Sequence, residues 1–89
     1  MFIKGEKGSY YNLDNCDMMC VRDKFIHGRI EGCTICVLID ETWYDIAEFT
    51  ETAAAQAALD KMMVVQATTP HNHGSYYNMS TESLTYNNR

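Results

Sequence analysis

Residues Cys33–Phe49, CTICVLIDETWYDIAEF, decide how the rest of the chain is read. Ile35, Val37 and Ile39 alternate with Cys36 and Leu38, which is the period of a strand. Both alternating sets are apolar, as expected of a central strand covered on its two faces. Asp40-Glu41-Thr42 interrupts the run, and Trp43–Phe49 then continues as a second strand. Strict alternation puts Trp43, Ala47 and Phe49 on one face and Tyr44 and Ile46 on the other. Cys36, Leu38, Tyr44 and Ile46 therefore read as a second apolar sheet face. With a single helix predicted downstream, the C-terminal segment or another subunit is expected to cover it.

The helix follows directly. Thr50 reads as its N-cap, and Glu51 suits the positive end of the helix dipole. Residues Ala53–Val65 are rich in strong helix formers. Ala54, Ala55, Ala58, Leu59, Met62 and Val65 recur at three- and four-residue spacing and predict one narrow, small-sided apolar face. Thr68-Thr69-Pro70 ends the helix. Upstream, Met1–Lys4 and Ser9–Leu13 flank Gly5-Glu6-Lys7-Gly8, a hairpin signal. Asn12-Leu13-Asp14-Asn15 has turn chemistry. Asp17–Arg22 reads as a strand. Asp23–Gly32 reads as a loop or widened hairpin held down by Phe25, Ile26 and Ile30. Residues 68–89 form a polar tail after a sheet-plus-helix core at 1–67 and are expected to pair with that core or with a neighbouring subunit. Gly8-Ser9-Tyr10-Tyr11-Asn12 recurs there as Gly74-Ser75-Tyr76-Tyr77-Asn78, and Tyr76, Tyr77, Leu84 and Tyr86 suit a short hairpin.

The 89 residues suffice for one domain. A formal net charge of −5 argues against an extended nucleic-acid footprint, which requires a basic face. No apolar run approaches the length of a membrane span, and Met1-Phe2-Ile3-Lys4 lacks the pattern of a secretory leader. The expected location is the cytoplasm, where thiols stay reduced.

Cys16, Cys20, Cys33 and Cys36 have the paired spacing of a four-thiolate zinc site. Their strand context favours the alternative that they are small apolar core residues. The reading is of no cofactor, with zinc on those four as the alternative. His71 and His73, two apart after a proline, suit a metal or phosphate; on a polar tail they equally suit solvated surface. His27 has no visible partner. No set of nucleophile, base and orienting group is recognisable, which points away from an enzyme. Arg22, Arg29, Tyr76, Tyr77, Asn88 and Arg89 supply guanidinium forks for phosphate and rings for base stacking. A subunit interface that gathers them would make a nucleotide-sized site.

Tyr11-Asn12-Leu13-Asp14-Asn15, the strand pair within Ile30–Phe49 and the Ala-rich helix together resemble the small sheet-then-helix proteins of phages and prophages. The plan is similar to that of the Thoeris anti-defence 1 type of sponge. That resemblance implies a non-catalytic homo-oligomer that sequesters a cyclic ADP-ribose-like or cyclic-nucleotide signal in the host cytoplasm. A protein–protein inhibitor of the anti-CRISPR kind, or a small structural module, suits the same plan. The expected fold is α+β: an antiparallel sheet of about five strands against one main helix, with a tail or short hairpin completing an oligomer.

Overall fold

A computed structural model describes residues 2–68 and 75–86. The order of elements is β1 (Phe2–Lys4), β2 (Tyr10–Asn12), a 3-10 turn (Leu13–Asn15), β3 (Cys16–Ile26), β4 (Arg29–Ile39), β5 (Thr42–Phe49), α1 (Thr52–Thr68), β6 (Ser75–Asn78) and β7 (Ser83–Tyr86). The described residues are α+β with one α-helix, as expected. The strands divide into two sheets, β2-β1-β6-β7 and β3-β4-β5, where one sheet of about five was predicted. The split follows from the short β1, which runs parallel to β6 and antiparallel to β2, leaving the long β3–β4–β5 meander as a separate sheet.

The repeated Ser-Tyr-Tyr-Asn stretches flank β1 on its two sides. Ile3 lies between Tyr11 and Tyr77 in register. Both copies end in the same local bond: Asn12 Oδ1 accepts from the Asp14 amide and Asn78 Oδ1 from the Ser80 amide, each at 3.0 Å. An Asx turn ends each strand, so one short sequence serves twice for the same local reason. The β6–β7 hairpin thus joins the β1 sheet of its own chain and leaves the face of β4 to other solutions.

Helix α1 lies on one face of β3-β4-β5. Ala55, Ala58, Leu59 and Met62 are buried at the spacing of one helical face, and Val65 packs partly against them. Ala54, which the predicted stripe included, is exposed, one position off the buried face. The first helical hydrogen bond runs from the Ala55 amide to the Glu51 carbonyl at 3.2 Å. That makes Glu51 the N-cap in place of Thr50. The two alanines keep the helix close to the sheet, where it meets Cys33, Ile35, Val37, Ile46 and Ala47. Ile3, Tyr77 and Met79 from the other sheet join the same cluster. Two hydrogen bonds tie the sheets together: the Glu6 amide donates to the Ile46 carbonyl at 2.9 Å, and the Glu48 amide donates to Glu6 Oε1 at 2.8 Å. The first hairpin therefore covers part of the outer edge of β5.

A one-residue bulge in β5 corrects the predicted faces. Ile35 pairs with Ala47, but Cys36 pairs with Asp45, so Ile46 is the extra residue. An inserted residue reverses the alternation beyond it. Ile46 and Ala47 both point into the core, Tyr44 pairs with the core-facing Val37, and Trp43 crosses to the far face beside Leu38. The second sheet face is therefore built from Cys36, Leu38 and Trp43; the predicted Tyr44 and Ile46 face the other way.

The segment Asp23–Gly32 is mostly strand, where a loop or widened hairpin was expected. His27 and Gly28, at φ 53° and 78°, form a two-residue turn whose paired left-handed conformations match the strand twist. Strand β5 ends at Phe49, opposite Cys33, so the β3–β4 hairpin extends past it as an arm. Phe25, Ile26 and Ile30 are exposed on that arm, at 64%, 42% and 60%, and do not tuck it down.

Candidate interaction surface

The face of β3-β4-β5 turned away from α1 carries no covering element among the described residues. Its side chains follow from the register. Met18 pairs with Leu38, Cys20 with Cys36 and Arg22 with Thr34; on the other side of β4, Leu38 pairs with Trp43, Cys36 with Asp45 and Thr34 with Glu48. The centre of the face is close-packed, since Cys36 and Thr34 are buried, whereas Met18 and Trp43 remain exposed.

Polar contacts organise the surface around that apolar centre. The Arg22 guanidinium lies 5.0 Å from the centre of the Trp43 ring, within cation–π range. Arg22 pairs with Thr34 and Trp43 with Leu38, so the contact runs diagonally across β4, with Cys36 between those two positions. Cys36 Sγ donates to Asp45 Oδ1 at 3.2 Å. Burial pushes the Cys36 thiol up to about 12, and the Asp45 carboxylate adds to the rise. It is neutral at pH 7 and a poor nucleophile there. Lys24 and Glu48 form an ion pair near the edge of the sheet. Each shifts the other: Glu48 raises the Lys24 ammonium and Lys24 lowers the Glu48 carboxyl. Both are well exposed, so the pair contributes little to stability.

Of the residues predicted to hold a nucleotide, the four that are described, Arg22, Arg29, Tyr76 and Tyr77, are spread over two sheets. Arg22 is on the open face. Arg29 pairs with Ile26 beside the arm's turn, five positions along β4 from Thr34, the partner of Arg22. Tyr76 stacks edge-on with Tyr10 at 5.2 Å in the other sheet. Tyr77 is fully buried, and burial raises its phenol. A side chain in the core offers no stacking surface to a ligand. Asn88 and Arg89 lie outside the described residues, as do His71 and His73.

The four cysteines are also separated. Cys20 and Cys36 are direct cross-strand partners on the open face. Cys16 pairs with Ile39 on the core side, and Cys33 is buried on that same side six residues along β4. Six residues of strand span roughly 20 Å. The alternative zinc site on Cys16, Cys20, Cys33 and Cys36 therefore does not assemble, because strand alternation and register divide the ligands between two faces. All four thiols are free, and the described residues contain no cluster of three or more metal-type ligands.

Trp43 and the arm residues Phe25, Ile26 and Ile30 are the surface features that reading the sequence did not single out. A signal for the first was present: Ile46-Ala47 breaks the alternation of β5 with two adjacent apolar residues. A signal for the second was His27-Gly28, a two-residue turn sequence between alternating segments.

No family model matches this chain, and no curated protein or solved structure matches it either. No helix among the described residues is long and apolar enough to cross a membrane.

Proposed function

We propose that the chain is a non-catalytic binding module that engages a protein partner through the open face of β3-β4-β5. One observation carries this reading. Met18, Leu38 and Trp43 lie together on a sheet face that no element among the described residues covers, with Arg22 held against Trp43. Tryptophan and arginine around a desolvatable centre are the composition of a binding hot spot. The neighbouring Asp45 and Glu48 give the rim a negative component, suited to a partner with a basic rim of its own. The reading matches the inhibitor or interaction-module expectation, of which a phage-type inhibitor of a host protein is one form.

The test is capture by the immobilised chain from host lysate, compared with Trp43→Ala and Leu38→Glu. Both variants should keep the fold by circular dichroism and lose the same captured protein. Retention of that protein by both variants would place the interface elsewhere.

The Arg22–Trp43 contact also favours a second reading, sequestration of a small cyclic nucleotide or cyclic ADP-ribose-like signal. Here a base stacks on Trp43 and Arg22 neutralises a phosphate. Calorimetry against these compounds separates the two. Heat that disappears in Trp43→Ala supports the nucleotide reading; a folded protein that gives no heat with any of them removes it.

A further inference from the structure

The open face holds two nucleophilic side chains that binding leaves unused. Cys20 of β3 and Cys36 of β4 are direct cross-strand partners there, and both thiols are free. Directly opposed residues of an antiparallel pair have Cα atoms roughly 4.5–5.5 Å apart, inside the span of about 4.4–6.8 Å that a disulfide requires. The register denies that approach to every other combination. Cys16 is opposite Ile39, three residues along β4 from Cys36 and six from Cys33. Cys33 is opposite Asp23, three residues along β3 from Cys20. Cys16 and Cys20, like Cys33 and Cys36, are held apart on a single extended strand. Three residues of strand already span roughly 10 Å, too far for a disulfide.

The two thiols have unequal surroundings. Cys20 is half-buried on the face and open to a small reagent. Cys36 is 3% exposed, and its Sγ donates to Asp45 Oδ1 on the neighbouring strand. Burial and Asp45 hold Cys36 as the neutral thiol, and a negative charge on Cys20 raises it further. One thiol is thus placed to meet a reagent, and the other to receive what the first has bound.

We propose that Cys20 and Cys36 form a modification site, a dithiol that a small-molecule disulfide closes into a cross-strand disulfide and a thiol reductant reopens. Cys20 Sγ, as thiolate, attacks one sulfur of the reagent. The reagent's S–S bond breaks, and one small thiolate leaves with the electron pair and takes up the proton that Cys20 released. Cys36 Sγ then attacks Cys20 Sγ in the mixed disulfide. The second small thiolate leaves, and the Cys36 proton passes to it through Asp45 Oδ1. Two protein thiols are oxidised while one reagent disulfide is reduced to two thiols. Directly opposed Cβ atoms stand roughly 4.5–5.5 Å apart, so closure draws β3 and β4 together by about 1 Å, and a bond closed across that gap reopens easily. Closure also takes the S–H donor away from Asp45, on the face that carries Arg22 and Trp43.

The test equilibrates the folded full chain with mixtures of oxidised and reduced glutathione, quenches with acid, alkylates the remaining thiols and maps linkages by mass spectrometry. At the oxidising end, two of the four thiols are expected to escape alkylation, and fragmentation of the linked peptides is expected to join Cys20 to Cys36. Dithiothreitol is expected to restore all four thiols. Cys20→Ala and Cys36→Ala are each expected to lose the linked species entirely, whereas the double variant Cys16→Ala/Cys33→Ala keeps it. Four alkylated thiols at every ratio, a glutathione adduct on Cys20 that never closes, or linkage of any other pair in the folded chain overturns the proposal. The linkage map is read on the wild type, so it does not depend on how the variants fold. It also needs no partner, which keeps this result separate from that of the open face.

Discussion

Arg22 reaches diagonally across β4 to hold its guanidinium 5.0 Å from the Trp43 ring. The contact exists because Ile46 is an extra residue in β5. Without that bulge, Trp43 would face α1 and Tyr44 would take its place beside Leu38. One inserted residue thus decides which aromatic side chain the open face presents. The same face buries Cys36 between the two strands that carry the pair, which links the surface to the ionisation of the thiol.

That link has a pH consequence. The Cys36 thiol is raised from an ordinary value of 9.0 to about 12, chiefly by burial, and burial raises the Tyr77 phenol as well. The folded chain therefore holds these protons more tightly than the unfolded chain. Their contribution to stability is complete below about pH 9 and is lost as pH rises from there towards 12. Thermal unfolding followed from pH 8 to 11 should show a falling midpoint, and Cys36→Ala should fall less steeply. An equal slope in the variant would mean that Cys36 is not the group concerned.

Gly32 marks the place where the arm leaves the body of the sheet. Its φ is +104°, and a Cβ built there would lie 2.6 Å from the Phe49 carbonyl oxygen. The obstacle is backbone at the end of β5, so it cannot rotate away. Gly32→Ala is expected to cost about 2 kcal/mol or more, combining left-handed strain with overpacking. Chemical denaturation measures it, and a loss below about 0.5 kcal/mol would contradict the close approach.

The turn between β4 and β5 offers the opposite change. Asp40 and Glu41 have φ of 50° and 64°. Aspartate tolerates that region, but glutamate has no short side-chain bond to compensate, and the left-handed conformation costs roughly 1–2 kcal/mol. Glu41→Gly gives the Asp-Gly sequence that such turns favour. Denaturant melts should show a gain of about 0.5–1 kcal/mol. A loss would mean that Glu41 makes a compensating contact.

Local chemistry made much of the fold legible. Period-two alternation located β4, the small-residue stripe located the buried face of α1, and Asn12 announced an Asx turn. The repeated Ser-Tyr-Tyr-Asn marked two strands, though not that both would flank β1. What escaped was set by register. The bulge at Ile46 is one residue among eight, and its effect on Trp43 and Tyr44 appears only once β4 and β5 are aligned. The cysteines mislead for a related reason: close spacing along the chain says nothing about the face on which a strand places each thiol. Tyr77 reads as a surface ring in a polar tail until β6 pairs with β1 and turns it into the core.

Trp43 is the single tryptophan of the chain, so its fluorescence reports directly on the open face. The decisive measurement is acrylamide quenching of that fluorescence in the free protein and in the complex with its captured partner, using a partner preparation whose own tryptophans are fluorinated and spectrally distinct. Trp43 is expected to be readily quenched when free, and blue-shifted and protected in the complex. Equal quenching in both states, with the complex demonstrably formed, would contradict the assignment of the β3-β4-β5 face as the working surface.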